Sequence, residues 1–263
     1  MPHLKETEQV HASLLEAMTY FHNICEENDI HYSLHGGSLL GAVREKGFIP
    51  WDDDIDVSMP RPEFEKFRKV IKEIKLPEEY RYDDITFRSP RLILKKEDAP
   101  LVWITVFVFD YISERPAWLK MKIRGIGFFE VICKQPLYFK DKTRAGKYQK
   151  GPQYHVYKAI WIIGKLFKQK TKLKWMDIFC KRAFLGNKTL VHRSNDVFDA
   201  TKLILPVGVL DGYLLVPFED KEFYIYTGYD TILRSSYGDD YMTPIRFDTS
   251  KDDQHQTVRN LLV

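Results

Sequence analysis

His35–Met59 reads HGGSLLGAVREKGFIPWDDDIDVSM, a Gly-Gly-Ser turn, a short apolar-basic segment and four aspartates within five positions. Residues two apart on a strand share a face, so Asp54 and Asp56 project together while Ile55 and Val57 enter the core. Two carboxylates held side by side repel one another unless a cation lies between them, which invites Mg²⁺. A glycine turn leading into a helix presents amide N–H groups at a positive helix end, a place for phosphate, and Ser38 is placed to cap that helix. Either half alone has an ordinary reading, as a plain turn or a solvated acidic run. Together they supply both parts of a metal-dependent phosphoryl or nucleotidyl transfer site.

Outward from this stretch the pattern predicts an α/β sheet flanked by helices. An amphipathic helix is expected over 4–28, from Val10, Leu14, Met18, Phe21 and Cys25. Strands are expected over Ile30–His35, Trp51–Met59, Arg81–Phe87, Arg91–Lys95 and Leu101–Phe109, the last apolar on both faces and so central. Pro60-Arg61-Pro62 opens a helix with Phe64, Phe67, Val70, Ile71 and Ile74 on its buried stripe. Trp118–Phe129 reads as helix, Gln135–Gln153 as a lysine-rich loop, and Val156–Leu185 as one or two helices. Short strands follow Gly186, and a helix runs from Gly228 through Leu233. The divisions predicted are 1–115 as core, 116–190 as a basic, largely helical insertion, and 191–263 as a C-terminal part packing back on the core.

The 263 residues suffice for one large domain or two small ones. The longest apolar run, Leu101–Phe109, is about half of what a membrane-spanning helix needs. Three scattered cysteines suggest neither a disulfide framework nor a zinc site, and no secretory signal is visible. The net charge of +3 conceals an asymmetry: residues 117–190 hold 18 Lys/Arg against 3 Asp/Glu, and the remainder is net acidic. A positive middle on an acidic frame suggests an anionic partner. It reads as a solvated helical face, as a membrane-surface patch with Trp118, Trp161 and Trp175 among lysines, or as a track for a polyanionic acceptor. No nucleic-acid-binding signature appears, so no nucleic acid is expected. His35, His155 and His192 read as packing or polar-network histidines.

The runs Gly37–Arg44 and Lys46–Val57 resemble the signature of the LicD family, whose fold is nucleotidyltransferase-like. Leu101–Asp110 and Gly228–Met242, with His255 beyond, look like its later blocks. The resemblance implies transfer of a phospho-alcohol, often phosphocholine, from a CDP-alcohol donor to a glycan or lipid-linked glycan acceptor such as teichoic acid or lipopolysaccharide. A ribitol- or glycerol-type phosphate, or a nucleotidyl group, is the alternative cargo. It implies Mg²⁺ or Mn²⁺ on Asp54 and Asp56, and donor phosphates on Gly37 and Ser38. Arg44 is either a donor contact or a structural charge paired with an aspartate. Asp52 is able to share the metal face, although the turn after Pro50 favours capping roles for Asp52 and Asp53; Lys46 and His255 are further candidates. The implied location is the cytoplasmic face of the plasma membrane, with residues 117–190 against anionic lipid.

One departure bears on competence. Where the family pattern carries a third aspartate on the central strand, this chain has Thr105, a neutral oxygen ligand at best. Asp110 has the opposite strand parity and cannot simply substitute. The expectation divides between a weakened metal site, another carboxylate reaching in, and a non-catalytic partner of an active paralogue.

Overall fold

The computed structural model describes residues 2–133, 153–182, 186–196 and 203–244. The predicted loop around Lys140, Lys142, Arg144, Lys147 and Lys150, and the candidate His255, lie outside them. Helix α1 (Pro2–Glu27) buries Leu14, Met18, Phe21 and Cys25, the predicted stripe. Strand β1 (Ser33–Leu34), helix α2 (Gly36–Arg44) and strand β2 (Ile55–Pro60) follow, then helix α3 (Arg61–Glu73) with Pro62 in its first turn, where a missing N–H costs nothing. Strands β3 (Tyr80–Asp83), β4 (Arg91–Leu94) and β5 (Val102–Ile112) complete the first half. Three predicted strands are shorter than their apolar patterns. β2 begins only at Ile55, because the turn after Pro50 carries the chain to Asp54. β1 keeps two residues of Ile30–His35. β3 stops at Asp83, whose Oδ1 accepts the backbone N–H groups of Ile85 and Thr86 and turns the chain.

The sheet is mixed, in the order β1-β2-β5-β4-β3. β2 and β5 run parallel and β5 is central, as its two apolar faces predicted. β5 is long enough for two antiparallel partners along one side, β4 at Val102–Thr105 and β6 (Leu190–Arg193) at Phe109–Ile112. Asn195 closes the gap between them: its side-chain amide accepts from Val108 N at 2.8 Å and donates to Val106 O at 3.0 Å, as a strand's peptide would. β7 (Ile204–Pro206) extends the sheet beyond β6.

The faces are sorted by parity. Ile55, Val57, Leu92, Leu94, Ile104 and Val106 join one core with residues of α1 and α3. Asp56, Ser58, Arg91, Thr105 and Phe107 point the other way.

The basic middle folds as α4 (Pro116–Cys133), α5 (Gln153–Gly164) and α6 (Gln169–Lys181), with small cores of their own around Ile126, Met176 and Cys180 and around Ile132, Cys133 and Leu173. Not all its lysines are solvated: Lys122 is buried and donates to the Tyr111 carbonyl. Helix α6 docks on α3 through Asp177, which receives Arg61 at 2.7 Å and Arg68 at 2.9 Å. After a 3₁₀ turn, the hairpin β8 (Tyr213–Phe218) and β9 (Lys221–Tyr226) packs beside β1, where Tyr226 N donates to Ser33 Oγ. Helix α7 (Tyr229–Tyr237) then returns to α2. Among the described residues no helix is long and apolar enough to cross a membrane.

Candidate active site

Helix α2 begins at Gly36 with φ of +57°, two residues before the position expected for its cap. A left-handed residue at a helix start suits glycine, and it turns the chain directly from β1 into the helix. His35 therefore holds the N-cap position, and Ser38 does not cap. Its hydroxyl, buried in the third helical position, accepts the backbone N–H of Asp56 at 3.0 Å. His35 N donates to the Asp56 carbonyl at 2.8 Å. Two bonds thus clamp the start of α2 to the start of β2.

The aspartates close on this helix start. A Cβ on Gly36 would lie 3.3 Å from Asp56 Oδ2, and one on Gly37 would lie 2.5 Å from Asp52 Oδ2. Gly36 is needed here chiefly for conformation and Gly37 for space. Asp52 thus shares the face of Asp56, while its backbone is fixed by His11 Nε2 on its carbonyl. Burial, with Asp54, Asp52 and Asp196 behind it, pushes the Asp56 carboxyl well above the ordinary range, opposed by a hydrogen bond from Thr105. Thr105 faces Asp56 directly across the β2–β5 ladder.

Four side chains at this site were not singled out in the sequence. Arg91 lies opposite Thr105 on β4, and its guanidinium is stacked 3.9 Å from the Phe87 ring centroid and 5.2 Å from that of Trp103. Burial lowers its pKa to about 10, with Asp56 and Asp54 opposing the change, so it stays charged at neutral pH. Arg193 pairs with Asp196 at 2.9 Å and donates to His35 Nε2 at 2.7 Å, and burial and this guanidinium hold His35 neutral. Tyr237 comes from α7, its phenol pushed up to about 12 by burial and then by Asp56 and Asp52. Only Arg91 had a visible signal, a charge opening an otherwise apolar strand.

Other candidates lie elsewhere. Arg44 is at the far end of α2, about 12 Å from Gly36 by helical rise. It pairs with Glu45 rather than an aspartate and donates to the Tyr241 carbonyl. Lys46 is exposed, with φ of +59°. Asp110 is on the opposite face of the sheet, held by Arg61 and Ser194. Asp53 is half-buried in the turn before β2.

The LicD/FKTN/FKRP nucleotidyltransferase domain matches residues 29–118, which span the α2 start, β2, Arg91 and Thr105. This stretch is a LicD-family domain. The chain is 59% identical over 56 residues to the lipopolysaccharide cholinephosphotransferase LicD of Haemophilus influenzae, 21% of each chain. It is 43% identical over 47 residues to the ribitol 5-phosphate transferase FKRP of Homo sapiens and of Mus musculus, covering 18% of this chain and 10% of each relative. The matches thus span about a fifth or less of these relatives.

The donor set suits a hard divalent cation. It is all oxygen, and Asp56 lies half-buried among carboxylates that a cation would relieve. Among the described residues no three Asp, Glu, His or Cys side chains form a metal cage. An ion held by Asp54 and Asp56 would therefore complete its shell with water and substrate oxygens, the usual habit of Mg²⁺.

Proposed function

We propose that the chain transfers a phospho-alcohol, with phosphocholine the first candidate, from a CDP-activated donor to a hydroxyl of a cell-surface glycan precursor. The observation that carries this reading is the Asp56 carboxylate set against Gly36 at the start of α2, a carboxylate and a helix N-terminus converging on one space. The activities of the LicD and FKRP relatives support phosphoryl-group transfer to a glycan as the class.

Asp54 and Asp56 would hold Mg²⁺ or Mn²⁺, which when bound neutralises charge on the phosphates. The amides of Gly36 and Gly37 and the α2 dipole would cradle donor oxygens. Ser38 and Thr105 fix Asp56 from the backbone and side-chain sides. The acceptor oxygen forms a bond to the phosphorus bearing the alcohol, the bond from that phosphorus to the CMP oxygen breaks, and CMP leaves. Ribitol or glycerol phosphate is the alternative cargo.

We place the protein peripherally at the inner face of a plasma membrane. Among the described residues, nine large apolar side chains in the basic middle are exposed, Leu166 the most at 79%. Lys165, Lys168 and Lys170 flank the Leu166–Phe167 turn between α5 and α6. Apolar side chains ringed by lysine suit anionic lipid.

Thr105 favours a second reading, a non-catalytic partner of an active paralogue, because no third carboxylate occupies its place. CMP release separates the two. Purified protein given CDP-choline, Mg²⁺ and a lipopolysaccharide or teichoic acid acceptor is expected to release CMP, and Asp54→Ala or Asp56→Ala to abolish it. Absence of turnover across choline, ribitol and glycerol donors would refute the catalytic reading.

A further inference from the structure

Thr105 lies between Asp56 on β2 and Arg91 on β4, one strand to either side and on the same face of the sheet. The central strand therefore sets a neutral hydroxyl between a carboxylate and a guanidinium. The hydroxyl is committed to Asp56, and Arg91 is left unmatched. Its Nε and Nη1 are buried and have no hydrogen-bond partner. Arg91 as a residue is half-buried, but these two nitrogens without acceptors are costly, because neither water nor protein replaces their hydration. Phe87 and Trp103 pack against its plane and hold it in place, but ring faces leave the in-plane N–H groups unsatisfied.

We propose that Arg91 is an anion-binding residue of the active site, whose guanidinium takes oxygens of the donor diphosphate on the side of Asp56 where Thr105 supplies no carboxylate. A planar fork of donors matches phosphate oxygens, and it places a fixed positive charge where a third aspartate would recruit a cation. The α2 N-terminus holds the phosphates from one side and Arg91 from the other, with Asp54 and Asp56 and their ion between them. This rests on the reading of the Asp54–Asp56 strand as a donor-phosphate site. It adds that part of the phosphate affinity needs no metal.

The test uses inorganic pyrophosphate and CDP as probes, titrated calorimetrically into the full chain in EDTA, with melting temperatures recorded for each variant. Wild type is expected to bind both without metal. Arg91→Met is expected to lose at least tenfold in affinity while its ligand-free melting temperature holds or rises, since an unmatched charge is replaced by an apolar chain of similar length. A merely structural arginine would lower that temperature. Arg91→Lys keeps the charge, loses the fork and is expected to bind three- to tenfold more weakly; it decides the matter if the Met variant does not fold. Failure of the wild type to bind either probe in EDTA, or equal binding by wild type and the Lys variant, would overturn the proposal. Asp54→Ala separates the two readings: it is expected to end CMP release without weakening metal-free pyrophosphate binding, since it removes a negative charge. Binding without turnover in the wild type would sink the transferase reading and leave Arg91 standing.

Discussion

Thr105 stands level with Asp56 on the neighbouring parallel strand, and its hydroxyl is hydrogen-bonded to the Asp56 carboxylate. The bond uses the threonine to orient the aspartate, so Thr105 supports the site without adding charge to it. Arg91 on the far side of Thr105 gives the position its consequence. A carboxylate at 105 would reach both neighbours, repelling Asp56 and satisfying Arg91.

Thr105→Asp is therefore expected to exchange one mode of phosphate binding for another. Mn²⁺ affinity, measured by calorimetry, should rise at least tenfold because a third oxygen ligand joins the pair. Pyrophosphate affinity in EDTA should fall at least tenfold as the new carboxylate occupies Arg91. Unchanged metal affinity would mean that position 105 does not face the metal.

The glycines at the start of α2 should respond differently to a single methyl group. Gly36→Ala puts a side chain at φ of +57° and is expected to cost about 1–2 kcal/mol in urea unfolding. Gly37→Ala drives a Cβ into Asp52 Oδ2, which must swing away. Its expected signature is weaker Mn²⁺ binding with a smaller stability change. Equal unfolding midpoints for the two variants would contradict this division.

Acid should loosen the basic helices from the core before the core itself fails. Burial pushes the Asp177 carboxyl up, but Arg61, Arg68 and Lys181 together outweigh it and hold the carboxyl below the ordinary range. Its folded pKa is lower than its unfolded one, so its contribution is complete above the unfolded value near 4 and is lost as pH falls through the folded value. Asp177→Asn is expected to lose about 1–3 kcal/mol at pH 7 and to converge with wild type in acid. Melting temperature against pH for the two proteins checks both parts; parallel curves would refute the linkage. Arg61→Met should be worse, about 3–5 kcal/mol, because it leaves Asp110 buried without its cation.

How much of this was legible follows from how far each group lies from its partners along the chain. Asp56 and the α1 and α3 stripes are local patterns, and parity and helical period put them on the faces observed. Parity also put Asp110 on the opposite face from Thr105. The cap was misplaced by three residues, at Ser38 instead of His35, because a positive φ at Gly36 has no sequence signature beyond the glycine itself. Arg91, Arg193, Asp196 and Tyr237 reach the site from β4, β6 and α7, and only strand register and helix docking bring them there. Tyr237 is 181 residues from Asp56 in the chain. The Asn195 patch between β4 and β6 was equally hidden, since a side chain imitating a peptide reads as an ordinary loop asparagine.

The turn between α5 and α6 gives the membrane reading its sharpest consequence. Leu166 is 79% exposed and Phe167 40%, and burying such side chains in an acyl interface is worth about 1.5–3 kcal/mol each. Replacing both with serine should therefore lower binding to anionic vesicles by more than a hundredfold in a sedimentation assay. Lys165→Glu together with Lys168→Glu should weaken binding more at low salt than at high salt, because screening already removes part of the attraction. Neutral vesicles should bind wild type more weakly than anionic ones and should not distinguish the charge variant from it. The two pairs separate the contributions: apolar insertion survives salt, and lysine attraction does not. If the serine variant sediments with anionic vesicles as well as wild type does, this turn does not enter the bilayer, and the basic middle serves a soluble polyanion or solvent instead.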